Sequence, residues 1–212
     1  MTQFTLAHHF DDAQQQHVSA TLGMWTFLAT EVLFFGVLLT GYTVYRMMFP
    51  FAFAEASAHL YMWIGLINTA VLLISSLTMA LAVHAAATGS RRRTVMLLGA
   101  TIGLALVFMA FKTVEYALDY HESLIPGLNF RYEGPATASR VELFMTMYFI
   151  MTGLHALHVI AGIIVLSFIT VAAARGRYSP EYSTPVEMTG LYWHFVDMVW
   201  VFLFPLLYLA QT

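Results

Sequence analysis

Five long apolar stretches dominate the chain, separated by short polar connections. They run from about Leu22 to Val44, Met62 to Val83, Val95 to Leu118, Leu143 to Val171 and Leu191 to Leu209. An α-helix needs about 20 mostly apolar residues to cross the hydrocarbon core of a bilayer, and each stretch has that reach. None shows the period-2 alternation and regular turn signals of membrane β-strands. The pattern therefore predicts an all-α fold, a polytopic membrane bundle of five transmembrane helices. It reads as one domain over residues 22–212, preceded by a polar lead over residues 1–21. That lead carries His8, His9, Asp11, Asp12, Gln14, Gln15, Gln16 and His17. It has neither a basic n-region nor a small-residue cleavage site, so it does not read as a signal peptide.

Composition agrees with the pattern. Hydrophobic residues make up 59% of the 212 and charged residues 10%, against roughly a quarter charged in soluble domains. The formal net charge of -3 gives no reason to expect a nucleic-acid partner. Cys is 0, which excludes disulfides and every thiolate-ligated metal. The basic residues are unevenly spread. The second and fourth connections carry Arg91, Arg92, Arg93, Arg175 and Arg177, whereas the first and third carry Arg46, Arg131 and Arg140. The positive-inside rule then puts the N-terminus and the second and fourth connections in the cytoplasm, and the C-terminus outside.

Ionisable side chains inside apolar helices cost roughly 2.5–3.5 kcal/mol each on insertion scales, so they mark candidate sites. Glu31 lies near the middle of the first stretch. Such a carboxyl is protonated or paired, and faces protein rather than lipid. It could accept protons or anchor a partner, or it could simply hydrogen-bond a neighbouring helix. His155 and His158 lie three apart in the fourth stretch, on one helix face. Two such imidazoles cannot both be axial ligands of one haem. His84 and His194 lie at the wrong depth to complete a metal site with them, so interhelical hydrogen bonding is the better reading. Gly153 and Gly162 flank the pair and permit close helix approach. His194 and Asp197 open the fifth stretch at the same spacing and predict an ion pair near the interface. Lys112 and Glu115, with Asp119 one turn on, predict another. No phosphate-binding glycine loop, nucleophile elbow or catalytic carboxylate pair is present. The expectation is no catalytic residue, no metal ligand and no cofactor bound by this chain.

At these residues the sequence resembles subunit III of the haem-copper respiratory oxidases, the cytochrome c and quinol oxidases. Gly23–Phe35, with Glu31, looks like the family's glutamate-bearing helix. Lys112–Tyr116 is similar to its Glu-Tyr helix end. Thr152–Gly162 looks like its double-histidine helix, and Trp193–Phe204 like its last helix. The resemblance implies a non-catalytic subunit that packs on catalytic subunit I, alongside other oxidase subunits. That partner would hold the haem and copper. It also implies phospholipid bound between helices, and support for proton uptake and turnover stability in aerobic electron transport. On this implication Glu31 is the buried family carboxylate, and Glu115, His155, His158, His194 and Asp197 fix helix packing and lipid sites. Five helices suit the short bacterial type found in quinol-oxidising enzymes, in the inner membrane. Tyr120–Arg140 departs from the usual pattern and is more similar to the divergent branch that includes the accessory protein of nitric oxide reductase, whose partner holds non-haem iron.

Overall fold

The structure, a computed structural model, describes residues 12–180 and 182–210; most of the polar lead, residues 1–11, lies outside them. The described residues form six helices: α1 (Ala13–Met48), α2 (Pro50–Ala58), α3 (Met62–Ala87), α4 (Arg91–His121), α5 (Ala138–Ala174) and α6 (Thr184–Tyr208). Five of them, all but α2, are long and apolar enough to cross a membrane. The apolar runs thus correspond to α1, α3, α4, α5 and α6.

Most helices overrun their apolar stretches. α1 begins at Ala13, where the Asp12 side chain caps it by accepting from the Gln15 backbone N–H at 2.6 Å. Glutamine is a good helix former, so the polar end of the lead continues the helix instead of preceding it. α2 stands outside the five expected helices. It is a nine-residue helix opened by Pro50, and too short to leave a periodic signal. α4 takes in the whole arginine triplet. Gly89, at φ 74°, closes α3: its N–H reaches Ala86 O at 3.0 Å and the Ser90 N–H reaches Ala85 O at 2.9 Å. This is the paired C-cap that requires a left-handed residue, and glycine adopts it without strain.

α6 occupies the middle of the bundle. It packs against α1, α2, α3 and α5, while α3 pairs with α4 and α4 with α5. Its buried face carries Trp193, Trp200, Leu203, Leu207 and Tyr208, the bulk of the core. Close approach is built in at Gly162, where an added Cβ would stand 2.7 Å from Trp193 Cζ3. At Gly153 the nearest neighbour of such an atom is Tyr116 Oη, 4.0 Å away, so that glycine is not needed for packing. The last turn of α6 is tied down from two other helices. Tyr42 Oη of α1 donates to Leu206 O at 2.5 Å, and Ser57 Oγ of α2 donates to Leu207 O at 2.7 Å. These hydroxyls satisfy carbonyls that a helix C-terminus leaves without partners.

The connections sort onto two ends. Arg91, at the start of α4, donates to Ala174 O at the end of α5, and His17 of α1 meets Thr184 Oγ1 of α6 at 3.1 Å. At the opposite end Tyr61 donates to Glu122, and the Arg140 guanidinium sits 4.5 Å from the Phe49 ring centroid. The two arginine-bearing connections therefore share one end.

Candidate functional site

The buried positions of α4 follow alternating steps of three and four: Thr94, Leu98, Thr101, Ala105, Phe108, Lys112, Glu115 and Asp119. α3 and α5 repeat the pattern, with Asn68 and Ser75 on one, and Tyr148, Thr152 and His155 on the other. Such a stripe faces neighbouring helices along its length. Polar side chains on and beside these stripes gather in three clusters.

Glu31 and His158 form the first. Glu31 Oε2 and His158 Nε2 are 3.0 Å apart, joining α1 to α5. His158 Nδ1 lies 2.8 Å from Leu154 O one turn back. A carbonyl only accepts, so Nδ1 carries a proton. Two states remain for the other nitrogen: a neutral imidazole accepting from the Glu31 acid, or an imidazolium donating to the carboxylate. Either way the pair is electrically neutral and shares one proton between Oε2 and Nε2. Tyr192 Oη of α6 donates to His158 O at 2.9 Å, and the Phe35 ring meets the imidazole edge-on at 5.1 Å.

The second cluster centres on Lys112, which is buried. Its Nζ donates to Glu115 Oε2 at 2.8 Å, Tyr208 Oη at 3.1 Å and Tyr148 Oη at 3.2 Å. An ammonium has three N–H donors, so all of them are used. Tyr208 Oη in turn donates to Glu115 Oε1 at 2.6 Å, which closes a ring of three groups. The rings of Tyr116, Tyr148, Trp200 and Tyr208 surround the ammonium at 5.0, 5.0, 5.3 and 5.8 Å. The ion pair expected from spacing forms, enclosed between packed helices. Asp119, one turn on, is fully enclosed, with no hydrogen-bond partner at either oxygen.

In the third cluster the expected His194–Asp197 pair does not form. His194 Nδ1 meets Ser76 Oγ of α3 at 2.7 Å. Asp197 points into the bundle, 3% exposed, and neither of its oxygens has a hydrogen-bond partner, although Ser76 is beside it. The serine hydroxyl is engaged with the imidazole. A step of three along a helix turns about 60° short of a full circle, so the two α6 side chains both reach Ser76 without meeting each other. His155 and His158 diverge for the same reason: His155 Nε2 meets Val196 O of α6 at 3.1 Å, while His158 faces α1. The expected common face of the two histidines is therefore split between neighbours. His155 also packs against Trp200 at 5.2 Å and Phe108 at 5.6 Å.

Tyr148, Tyr208, Ser76 and Asn68 do not stand out in the sequence. Tyr148 precedes His155 by seven residues and shares its stripe, and Asn68 precedes Ser75 in the same way. The three-four spacing is the signal that points to Tyr148 and Asn68, while Ser76 lies beside that stripe. Among the described residues no group of three or more His, Asp and Glu side chains is arranged to hold a metal ion.

The comparisons decide the family. A family model described as "Cytochrome c oxidase subunit III" matches residues 4–211. The chain belongs to the cytochrome c oxidase subunit III family. It is similar to the soybean (Glycine max) protein named cytochrome c oxidase subunit 3, at 33% identity over 79% of this chain and 65% of the relative. Proteins of the same name from wheat (Triticum aestivum) and carp (Cyprinus carpio) are 35% and 34% identical, each over 68% of this chain and 49% of the relative. The chain thus spans about half to two-thirds of the length of these relatives. The relatives are named as a subunit of cytochrome c oxidase.

Proposed function

We propose that the chain is a non-catalytic subunit of a respiratory haem-copper terminal oxidase. In this reading it packs on the catalytic subunit, binds phospholipid, and supports proton uptake and stability during turnover in aerobic electron transport. The observation that carries the reading is how the polar groups are used. Lys112, Glu115, Tyr148 and Tyr208 are hydrogen-bonded to one another, and Glu31 to His158. These contacts join α1 to α5, and α4 to α5 and α6, so the polar groups hold helices together. Haem and copper belong to the partner, and this chain's residues supply a rigid flank for it. The arginine-bearing end lies on the cytoplasmic side of a bacterial inner membrane, by the positive-inside rule.

The test is turnover. The complex should be purified with and without this chain and its oxygen consumption followed over many cycles. The reading predicts similar initial rates, with faster loss of activity in the depleted enzyme. Identical decay curves would remove the supporting role. An enzyme without any initial activity would contradict the non-catalytic assignment.

A further inference from the structure

We infer that the cleft between α1 and α3, at the arginine-bearing end of α6, is a binding site for a hydroquinone that carries an apolar tail. The inference rests on the membrane-embedded reading above, and adds a ligand to it. α1 and α3 both pack on α6 and, among the described residues, do not touch each other. A groove of about 460 Å³ opens where they part, a size that suits a small-molecule site. Its polar lining is His17 and Thr21 of α1 with Glu187 and His194 of α6. The fold engages one polar atom on three of them. His17 Nδ1 meets Thr184 Oγ1 at 3.1 Å, His194 Nδ1 meets Ser76 Oγ at 2.7 Å, and Glu187 Oε1 accepts from Ser183. Among the described residues the other atoms, Nε2 of each ring and Glu187 Oε2, have no hydrogen-bond partner. The engaged atoms fix the side chains, and the second atoms are left for a ligand.

Those atoms define the ligand. A carboxylate only accepts, so Glu187 calls for a donor, and each imidazole offers one further donor or acceptor. Among the described residues no Lys or Arg lines the groove, so a phosphate would find no cation there and would meet Glu187 instead. The fitting headgroup is uncharged and carries hydroxyls. Partners stand on both walls, His17 on α1 and Glu187 and His194 on α6, which suits a ring with hydroxyls at opposite edges. The wall towards α3 is closed: a Cβ added at Gly190 would stand 2.8 Å from Val83 Cγ2. Towards the bilayer the cleft is apolar. Leu191, Met198 and Phe202 follow at steps of seven and four on one face of α6, and the last two are 60% and 56% exposed. That track takes the tail of a membrane-dissolved quinol.

The test uses the intact complex, stripped of quinone in mild detergent and kept free of oxygen so that quinol is not consumed. Ubiquinol-2, its oxidised form and dioleoylglycerol are titrated separately, and bound molecules are counted by native mass spectrometry. The complex depleted of this chain reports sites on the other subunits. Ubiquinol-2 should fill one more site when this chain is present. The oxidised form, which has no hydroxyl for Glu187, should bind that site about tenfold more weakly, as should ubiquinol-2 to the Glu187→Leu variant, the effect of losing one charge-assisted hydrogen bond. Met198→Trp, which fills the track without touching the polar head, should also weaken binding. Arg140→Gln, at the other end, should leave it unchanged. No added site with this chain, an unaffected Glu187→Leu variant, or equal binding of dioleoylglycerol would each overturn the site. Because the variants are read on a complex that has assembled, failure here leaves the subunit assignment standing.

Discussion

Glu31 on α1 and His158 on α5 lie 127 residues apart in sequence, and their side chains meet at 3.0 Å. With Tyr192 bonded to the His158 carbonyl, this contact joins α1, α5 and α6. α1 is also held at Tyr42, which donates to Leu206 O, and at His17, which meets Thr184 Oγ1. The pair is one of the polar contacts that fix α1 to the bundle.

Replacing the acid tests that relationship. Glu31→Gln keeps a donor for a neutral His158, so insertion and folding should survive. Glu31→Leu strands the imidazole nitrogen of a partly buried pair and should lower stability by about 1 kcal/mol, the net worth of one such hydrogen bond. Thermal unfolding in detergent separates the two. Equal losses would mean that the contact contributes nothing specific, and complete loss of folded Glu31→Gln protein would require the ionised pair.

Lys112 offers a sharper case. Lys112→Met leaves the Glu115 carboxylate buried without its cation, which should cost about 3–5 kcal/mol. Replacing both, as Lys112→Met/Glu115→Leu, should recover much of that, because two apolar side chains avoid the desolvation of two ions. Denaturation midpoints of the three proteins check this. A double variant no better than the single one would show that Tyr148 and Tyr208 depend on the ions for their positions.

Packing at α5 and α6 is tested at Gly162. Gly162→Ala places a methyl group 2.7 Å from Trp193 Cζ3, and overpacking of this kind costs about 1–3 kcal/mol. Gly23→Ala on α1, where nothing lies within 4 Å, should be neutral or slightly stabilising. If melting temperatures of the two variants coincide, the close approach at Gly162 is not a constraint.

Asp197 fills enclosed space beside Ser76, so truncating it leaves a cavity in the bundle, whereas Glu133 is exposed in the α4–α5 connection. Asp197→Ala should therefore weaken helix packing and retention of the partner subunit more than Glu133→Ala does. Quantitative pull-down of the partner measures it, and equal retention would count against a packing role for Asp197.

The five spans are legible because a run of about 20 apolar residues matches the thickness of a bilayer and exceeds what a small soluble core can bury. The helix ends are not, because Gln14–Gln16 and Arg91–Arg93 are polar yet good helix formers. The site is legible in residue type: Glu31, Glu115, His155 and His158 each stand out as polar side chains in apolar helices. Their partners are less so. A spacing of three suggests a shared face, but the 60° between such positions is enough to send His155 and His158 to different neighbours, and to keep His194 and Asp197 apart although both reach Ser76. Tyr148 and Tyr208 escape notice because tyrosine in a membrane helix ordinarily reads as an interface residue. Here they complete the hydrogen bonds of Lys112.

The most direct test of the central claim is purification of this chain from its native membrane in mild detergent, with mass spectrometry and a reduced-minus-oxidised haem spectrum of the product. The account predicts a large co-purifying subunit that holds haem and copper. A partner with haem and non-haem iron would move the chain to a nitric oxide reductase, and a chain recovered alone and without haem absorbance would contradict the subunit assignment.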